Sequence, residues 1–509
     1  MLEPVGTGDG LITTRVKKCE SLVQVSLSEA VKSLTPGFAV FHLSAMALTK
    51  LPSFVLAMAL VISGASAARV DPAIHRTLRQ QGTANLIGTM KKGTDEPLKS
   101  VKEVTFSTRG ALIEDLVSRL QLHAEESLAE VCGLFATEAA GQYVRIEGFL
   151  ISNQIYVEGA TASFVERLAA SPAIGDIVEE EVYKIPDVTV VPAAINTTVE
   201  WGLEIMQAPG VWATGNTGEG VVVGTIDAGV RCSHEALKNN FRGDYGWFDP
   251  ESKTGPRDVT GQGTHTIGTI VGANGISVAP GPTWIACKGC REIACLYTDV
   301  MKCFQFMACP TDMTGANPDC SKAPHVVNNS WSGGKGGSTL YSSAVAALRT
   351  AGVIPVFSGG YSGPGCLTAT SPGDYENVIS VGATNTMDTL ASFSSKGPAT
   401  RGSVILQKPD ITAPGVAVRS SWFTGDSEYH TISGTSMASP HVTGTIALLL
   451  SKSPGLSYDQ VRETCISNVD TASLSPSGYS CGDTQDGVFP NNIYGYGRLN
   501  ALKAVSSVN

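Results

Sequence analysis

Charge is scarce in this chain. Asp, Glu, Lys and Arg make up 16% of its 509 residues, against about 25% in an average globular protein. The balance is acidic, with a net charge of -10 at pH 7 and a pI near 5.4. Basic residues never cluster beyond pairs such as Lys17-Lys18 and Lys91-Lys92, which excludes nucleic acid as a partner. Long apolar runs are missing too. The most apolar stretch, Phe54 to Ile62, falls far short of the roughly 20 residues that span a bilayer, so no stable membrane anchor is expected. Internal repeats and low-complexity tracts are absent, and Cys287-Lys-Gly-Cys290 has no second close Cys-x-x-Cys or His pair to complete a zinc site. No metal is expected at the functional site. What is plentiful is hydrophobic residues, at 42%, and glycine, at 55 positions. Together with the length, they describe two or three compact, loop-rich units.

The stretch Met46 to Ala67 has a lysine, a short apolar run and a closing Ala65-Ser66-Ala67, the grammar of a signal peptide with cleavage after Ala67. Such a signal ordinarily starts at the initiator methionine. Met46 is therefore the expected start, and residues 1–45 are an upstream extension of doubtful authenticity. Secretion agrees with the cysteines. Ten lie between Cys232 and Cys481, six of them between Cys287 and Cys320, and an oxidising compartment makes these disulfides, with Cys465–Cys481 a plausible local pair. Asn196-Thr-Thr198 is a glycosylation sequon, whereas Asn328-Asn-Ser330 matches the pattern inside an expected buried strand.

Hydrophobic periodicity between Val101 and Lys184 predicts strand 101–107, helix 111–122, strands 143–149 and 153–158, helix 162–170 and strand 177–184. That order is the β-α-β-β-α-β of a small ferredoxin-like α+β sandwich. Ile185 to Pro192 carries two prolines and reads as a linker and processing region. From Gly220 onward, short β-branched runs such as 221–226, 326–327, 353–357 and 378–381 alternate with helical stretches such as 340–350. These describe a doubly wound α/β domain with a parallel sheet, whose functional residues gather at the carboxyl ends of strands.

Three motifs carry chemistry. Ser433-Gly-Thr-Ser-Met-Ala-Ser-Pro-His441 opens an apolar helix, placing Ser436 in a first turn where its backbone N–H is free to bind a developing oxyanion. Asp227 follows the strand 221–226, and Gly261-Gln-Gly-Thr-His-Thr-Ile-Gly268 opens another helix. This set resembles the subtilisin family from about Trp201 to Ala504, with further likeness in Ala391 to Pro398 and Lys408 to Gly415; Trp284 to Cys290 and Asn328 to Trp331 look most like its bacillopeptidase F branch. The resemblance implies a peptidase domain over 193–509 and an inhibitory, chaperone-like propeptide over 68–192. It also implies an orienting role for Asp227, a nucleophilic role for Ser436, and peptide binding along Ser330, Trp331, Ser332 and Gly333. Ser332 stands where the family usually has glycine. No catalytic cofactor is implied, and structural calcium is left open.

Two positions depart from the pattern. The family's catalytic base is the first histidine of His-Gly-Thr-His, and here that place holds Gln262; His265 matches the second, non-catalytic one. A glutamine amide has no basic nitrogen to take the serine proton. The family's oxyanion asparagine is replaced by Tyr361, longer and bulkier than an amide. In subtilisin itself, losing the base costs about a million-fold in turnover and losing the asparagine about a hundred- to a thousand-fold. Two functions follow. One is a catalytically impaired secreted homologue that binds peptides, inhibitors or its own propeptide. The other, implied by resemblance alone, is a secreted serine endopeptidase acting through Ser436.

Overall fold

The computed structural model describes residues 67–137, 141–183, 191–193, 199–333 and 336–509. The signal grammar, all but Ala67, the Asn196 sequon and most of the linker lie outside them.

The N-terminal unit contains strand β1 (Thr83–Met90), helix α1 (Arg109–Thr137), strands β2 (Arg145–Phe149) and β3 (Gln154–Thr161), helix α2 (Ala162–Ala169) and strand β4 (Ile174–Glu179). Their spatial order is β4-β1-β3-β2, with Arg69–Val70 added in parallel beside β4. This is the expected ferredoxin-like sandwich, with its first strand elsewhere. Residues 101–107 do not form a strand: a 3-10 turn covers Val101–Glu103, and only Val101 anchors there, fully buried. The strand is β1, whose Leu86, Ile87 and Met90 are buried between β4 and β3 on either side. A central strand covered on both faces shows no clean alternation, so its periodicity is weak. Helix α1 also runs well past residue 122, because Ala124, Leu128, Val131 and Phe135 continue its buried stripe.

The C-terminal body is a nine-stranded sheet. It includes β5 (Val222–Asp227), helix α3 (Gln262–Val271), β6 (Thr283–Lys288), helix α4 (Tyr297–Ala308), β7 (Val326–Asn329), β8 (Ile354–Ser358), β9 (Ile379–Thr384) and β10 (Ile411–Pro414). Strands β10-β9-β8-β7-β5-β6 run parallel in that order. From β5 the chain first crosses to β6 on one side, then returns to β7 on the other. Asp227 thus stands at the carboxyl end of the strand where the winding direction reverses, the place where sites form in such sheets. Beside the sheet, β11 (Val418–Ser421) and β12 (Tyr429–Ile432) make a hairpin, and Val191–Ala193 pairs antiparallel with β12. Helix α5 (Thr435–Lys452) is buried from Thr435 to Leu450 and packs across the sheet.

The six clustered cysteines form Cys287–Cys303, Cys290–Cys295 and Cys309–Cys320, so Cys287 and Cys290 are not metal ligands. The expected Cys465–Cys481 pair is wrong. Cys481 joins Cys366, while a helix over Tyr458–Ser467 turns Cys465 into the core as a free thiol. Asn328 is fully buried in β7, as its sequence setting suggests.

The two units share one hydrophobic cluster, in which Ile113, Leu116, Phe149 and Tyr156 meet Tyr297, Val300 and Phe306. Polar links reinforce it. The Arg109 guanidinium donates to the Ala323 and Pro324 carbonyls, Tyr297 donates to Gln154 at 2.9 Å, and Lys302 pairs with Glu147 at 2.9 Å.

Candidate active site

Asp227 is fully buried. Its Oδ1 accepts from the Ala228 N–H at 2.8 Å and its Oδ2 from the Thr266 hydroxyl at 3.1 Å. Gln262, the first residue of α3, reaches it because Gly263 lies directly on the Gly229 carbonyl, where any side chain would collide. The Gln262 Nε2 donates to the Ser330 carbonyl at 2.6 Å and, more weakly, to Asp227 Oδ1 at 3.4 Å. Its Oε1 is buried without a partner among the described residues.

Among the described residues no cation stands beside Asp227, only neutral donors. Burial therefore dominates and pushes its pKa up to about 8, with the negative field of part-buried Asp258 acting in the same sense. Because the unfolded chain would ionise near 3.8, folding favours the proton. The stabilisation this gives is complete below that value, declines as pH rises, and is lost above about 8. Asp227→Asn is accordingly expected to melt close to the natural chain at pH 4 and above it at pH 9, by more than about 1 kcal/mol in thermal unfolding.

Ser436 is the second residue of α5 and is also fully buried. Its Oγ donates to the Ser330 carbonyl at 2.8 Å, the same oxygen that receives Gln262. Serine and glutamine thus share an acceptor, and among the described residues no hydrogen bond joins them. The Ser436 backbone N–H donates to the Tyr361 hydroxyl at 3.1 Å. Gly434 permits this approach, since a side chain there would overlap the phenol oxygen. The Tyr361 ring is part-exposed and stacks on Phe393, with centroids 5.6 Å apart. From sequence, the question was whether Tyr361 could donate to an oxyanion. In the structure its oxygen accepts instead, and occupies the N–H an oxyanion would need.

His265 supplies no substitute base. It is fully buried, its Nε2 is paired with the Val418 carbonyl of β11 at 3.0 Å, and burial lowers its pKa to about 3. His441, similarly buried, bonds the Met437 carbonyl through Nδ1 and is lowered to about 4.

Of the expected peptide-binding residues, Ser330, Trp331 and Ser332 are buried and only Gly333 is exposed. Trp331 packs among Tyr341, Phe357 and Phe304, at centroid distances of 5.5, 5.5 and 6.2 Å. Tyr183 of the N-terminal unit completes this cluster, 5.9 Å from Trp331, and exchanges backbone hydrogen bonds with Cys295 at 2.8 and 3.3 Å. Sequence reasoning missed Tyr183. The available signal was an aromatic residue just before the proline-bearing linker. A cavity of about 1290 Å³ between α1 and the body touches none of Asp227, Gln262 and Ser436.

Residues 218–497 match the model of the subtilase family, Peptidase S8. The chain belongs to the subtilase family of serine peptidases. It is 34% identical to bacillopeptidase F of Bacillus subtilis over 453 residues, which covers 82% of this chain but only 30% of that relative. It is 33% identical to subtilisin BL of Lederbergia lenta over 60% of this chain and 98% of that one, and 34% identical to subtilisin DY of Bacillus licheniformis over 52% and 89%. The first of these matches extends beyond the subtilase domain, into the N-terminal unit or the segment that joins it to the body. Subtilase membership accounts for the parallel sheet.

Proposed function

We propose that this subtilase is a secreted homologue that binds extended peptides without hydrolysing them, and that residues 68–192 act as an inhibitor-like propeptide it retains. The observation carrying the reading is the hydrogen bond from the Ser436 N–H to the Tyr361 hydroxyl, beside a Gln262 amide that has no basic nitrogen. Binding is supported by the backbone pairing of Tyr183 with Cys295, a mode by which any extended chain can add to an exposed edge, with an aromatic side chain filling the Trp331 pocket. Secretion is supported by the disulfides Cys287–Cys303, Cys290–Cys295, Cys309–Cys320 and Cys366–Cys481 and by the signal grammar before Ala68. Among the described residues no helix is long and apolar enough to cross a membrane.

Family membership favours a second reading, an active secreted serine endopeptidase using Ser436. The two separate on one experiment. A fluorescent peptide with a central tyrosine is incubated with the natural chain and with Tyr183→Ala. The expected result is reversible binding that tightens about ten-fold or more in the variant, as the competing ring is lost, with the peptide recovered intact. Cleavage abolished by Ser436→Ala would establish the second reading instead.

A further inference from the structure

The first turn of α1 is seated on the chain that follows Cys320. Gly110 lies against Ser321, whose Cβ a side chain there would meet at 3.0 Å, and Arg109 donates to the Ala323 and Pro324 carbonyls. Further along the joint, Gln154 meets Tyr297 at 2.9 Å. Between these contacts the two units part and leave the cavity of about 1290 Å³. The sequence of α1 explains the gap. Its Ile113, Leu116 and Leu120 enter the shared apolar cluster. The stripe beside them, Ala111, Glu114, Ser118 and Gln121 at three- and four-residue spacing, faces the cavity with small or polar side chains that do not fill it.

The floor of the cavity is aromatic. Phe248 stacks on Phe306 with centroids 5.6 Å apart, and Phe149 and Tyr245 line the same space. Charges around that floor are already paired: Glu147 takes Arg145 at 2.8 Å and Lys302 at 2.9 Å, and Asp319 caps the Ser321 N–H at 3.0 Å. Glu114 and Lys253, exposed on opposite walls, have no ion-pair partner among the described residues, and their signs cancel. An ion that entered would give up its water without meeting a counter-charge, whereas an apolar ring gains by leaving water. Gln305 of α4 adds one polar requirement. It lines the cavity, and its Oε1 is buried with no partner among the described residues.

We propose that this cavity binds a neutral aromatic molecule carrying a hydrogen-bond donor, and that its occupant fastens the N-terminal unit to the body. The ring lies against Phe248 in the offset or edge-on contact that aromatic pairs prefer, and its N–H or O–H meets the Gln305 amide oxygen. Because α1 and β2 form one wall and the body forms the other, ligand binding and docking of the two units strengthen each other. The site exists while residues 68–192 stay on the body, so it rests on their retention and not on peptide binding.

The test uses the full chain carrying Ser436→Ala, so that the N-terminal unit stays attached whichever reading of Ser436 holds. Two fluorescent probes of like shape are titrated: N-phenyl-1-naphthylamine, neutral with one N–H, and the anion 8-anilino-1-naphthalenesulfonate. The neutral probe is expected to saturate a site and to bind at least about ten-fold tighter than the anion. Val117→Trp, which fills the cavity from α1, should weaken it about ten-fold or more, and Gln305→Leu about three-fold or more. Arg109→Ala, outside the cavity lining, should also weaken it about three-fold or more, because it loosens the joint. No saturable binding, equal affinity for the two probes, or binding unchanged by Val117→Trp overturns the site. Undiminished binding in Gln305→Leu overturns the donor, and in Arg109→Ala the coupling to docking. If Val117→Trp does not fold, as judged by its melting curve, Thr311→Trp on the body wall makes the same test.

Discussion

Gln262→His is expected to give only weak labelling of Ser436 by a fluorophosphonate, and Gln262→His with Tyr361→Asn to give about a hundred- to a thousand-fold more. A histidine at the head of α3 would stand where the Gln262 amide now meets Asp227 and Ser330, and so could accept the serine proton. The phosphonyl oxygen still needs the Ser436 N–H, which Tyr361 occupies. Replacing Tyr361 with asparagine frees that donor and adds a second one, the kind of change worth about two to three orders of magnitude in subtilisin. Tyr361→Asn alone should label no better than the natural chain, because no base is present. Equal labelling of single and double variants would show that the phenol moves aside at no cost.

Trp331→Ala is expected to lower the unfolding free energy by roughly 3–5 kcal/mol, read from the urea midpoint. The indole is 1% exposed and touches four aromatic rings, one of them Tyr183, so its removal leaves a cavity under both units. Trp331→Phe should cost far less. The indole N–H is buried without a partner among the described residues, and phenylalanine removes that liability while keeping most of the volume. A small loss in Trp331→Ala, with weakened peptide binding, would make Trp331 a recognition residue rather than core.

The sequence was most readable where chemistry is local. Ser436 and Gln262 sit at helix starts and Asp227 at a strand end, and short motifs specify all three. It was least readable where contacts cross the chain. That Tyr361 accepts from Ser436 depends on a glycine 73 positions further on, Gly434, and no pattern near either residue encodes that distance. Strand β1 was missed because both its faces are buried, Leu86 in the unit's own core and Ile87 in the cluster shared with the body, which removes the alternation that marks a half-exposed strand. The Cys366–Cys481 bridge closes 115 residues, and a nearby cysteine in sequence is no guide to a pairing of that length. Tyr183 looks ordinary until the aromatic rings of the body are set around it.

The most direct measurement is the N-terminal sequence of the purified protein beside that of Ser436→Ala. On the proposed reading Ser436 has neither a proton acceptor nor a free oxyanion donor and does not cut the linker, so both are expected to keep the N-terminal unit covalently attached. A natural chain that begins after Tyr183, while Ser436→Ala remains whole, would contradict the account.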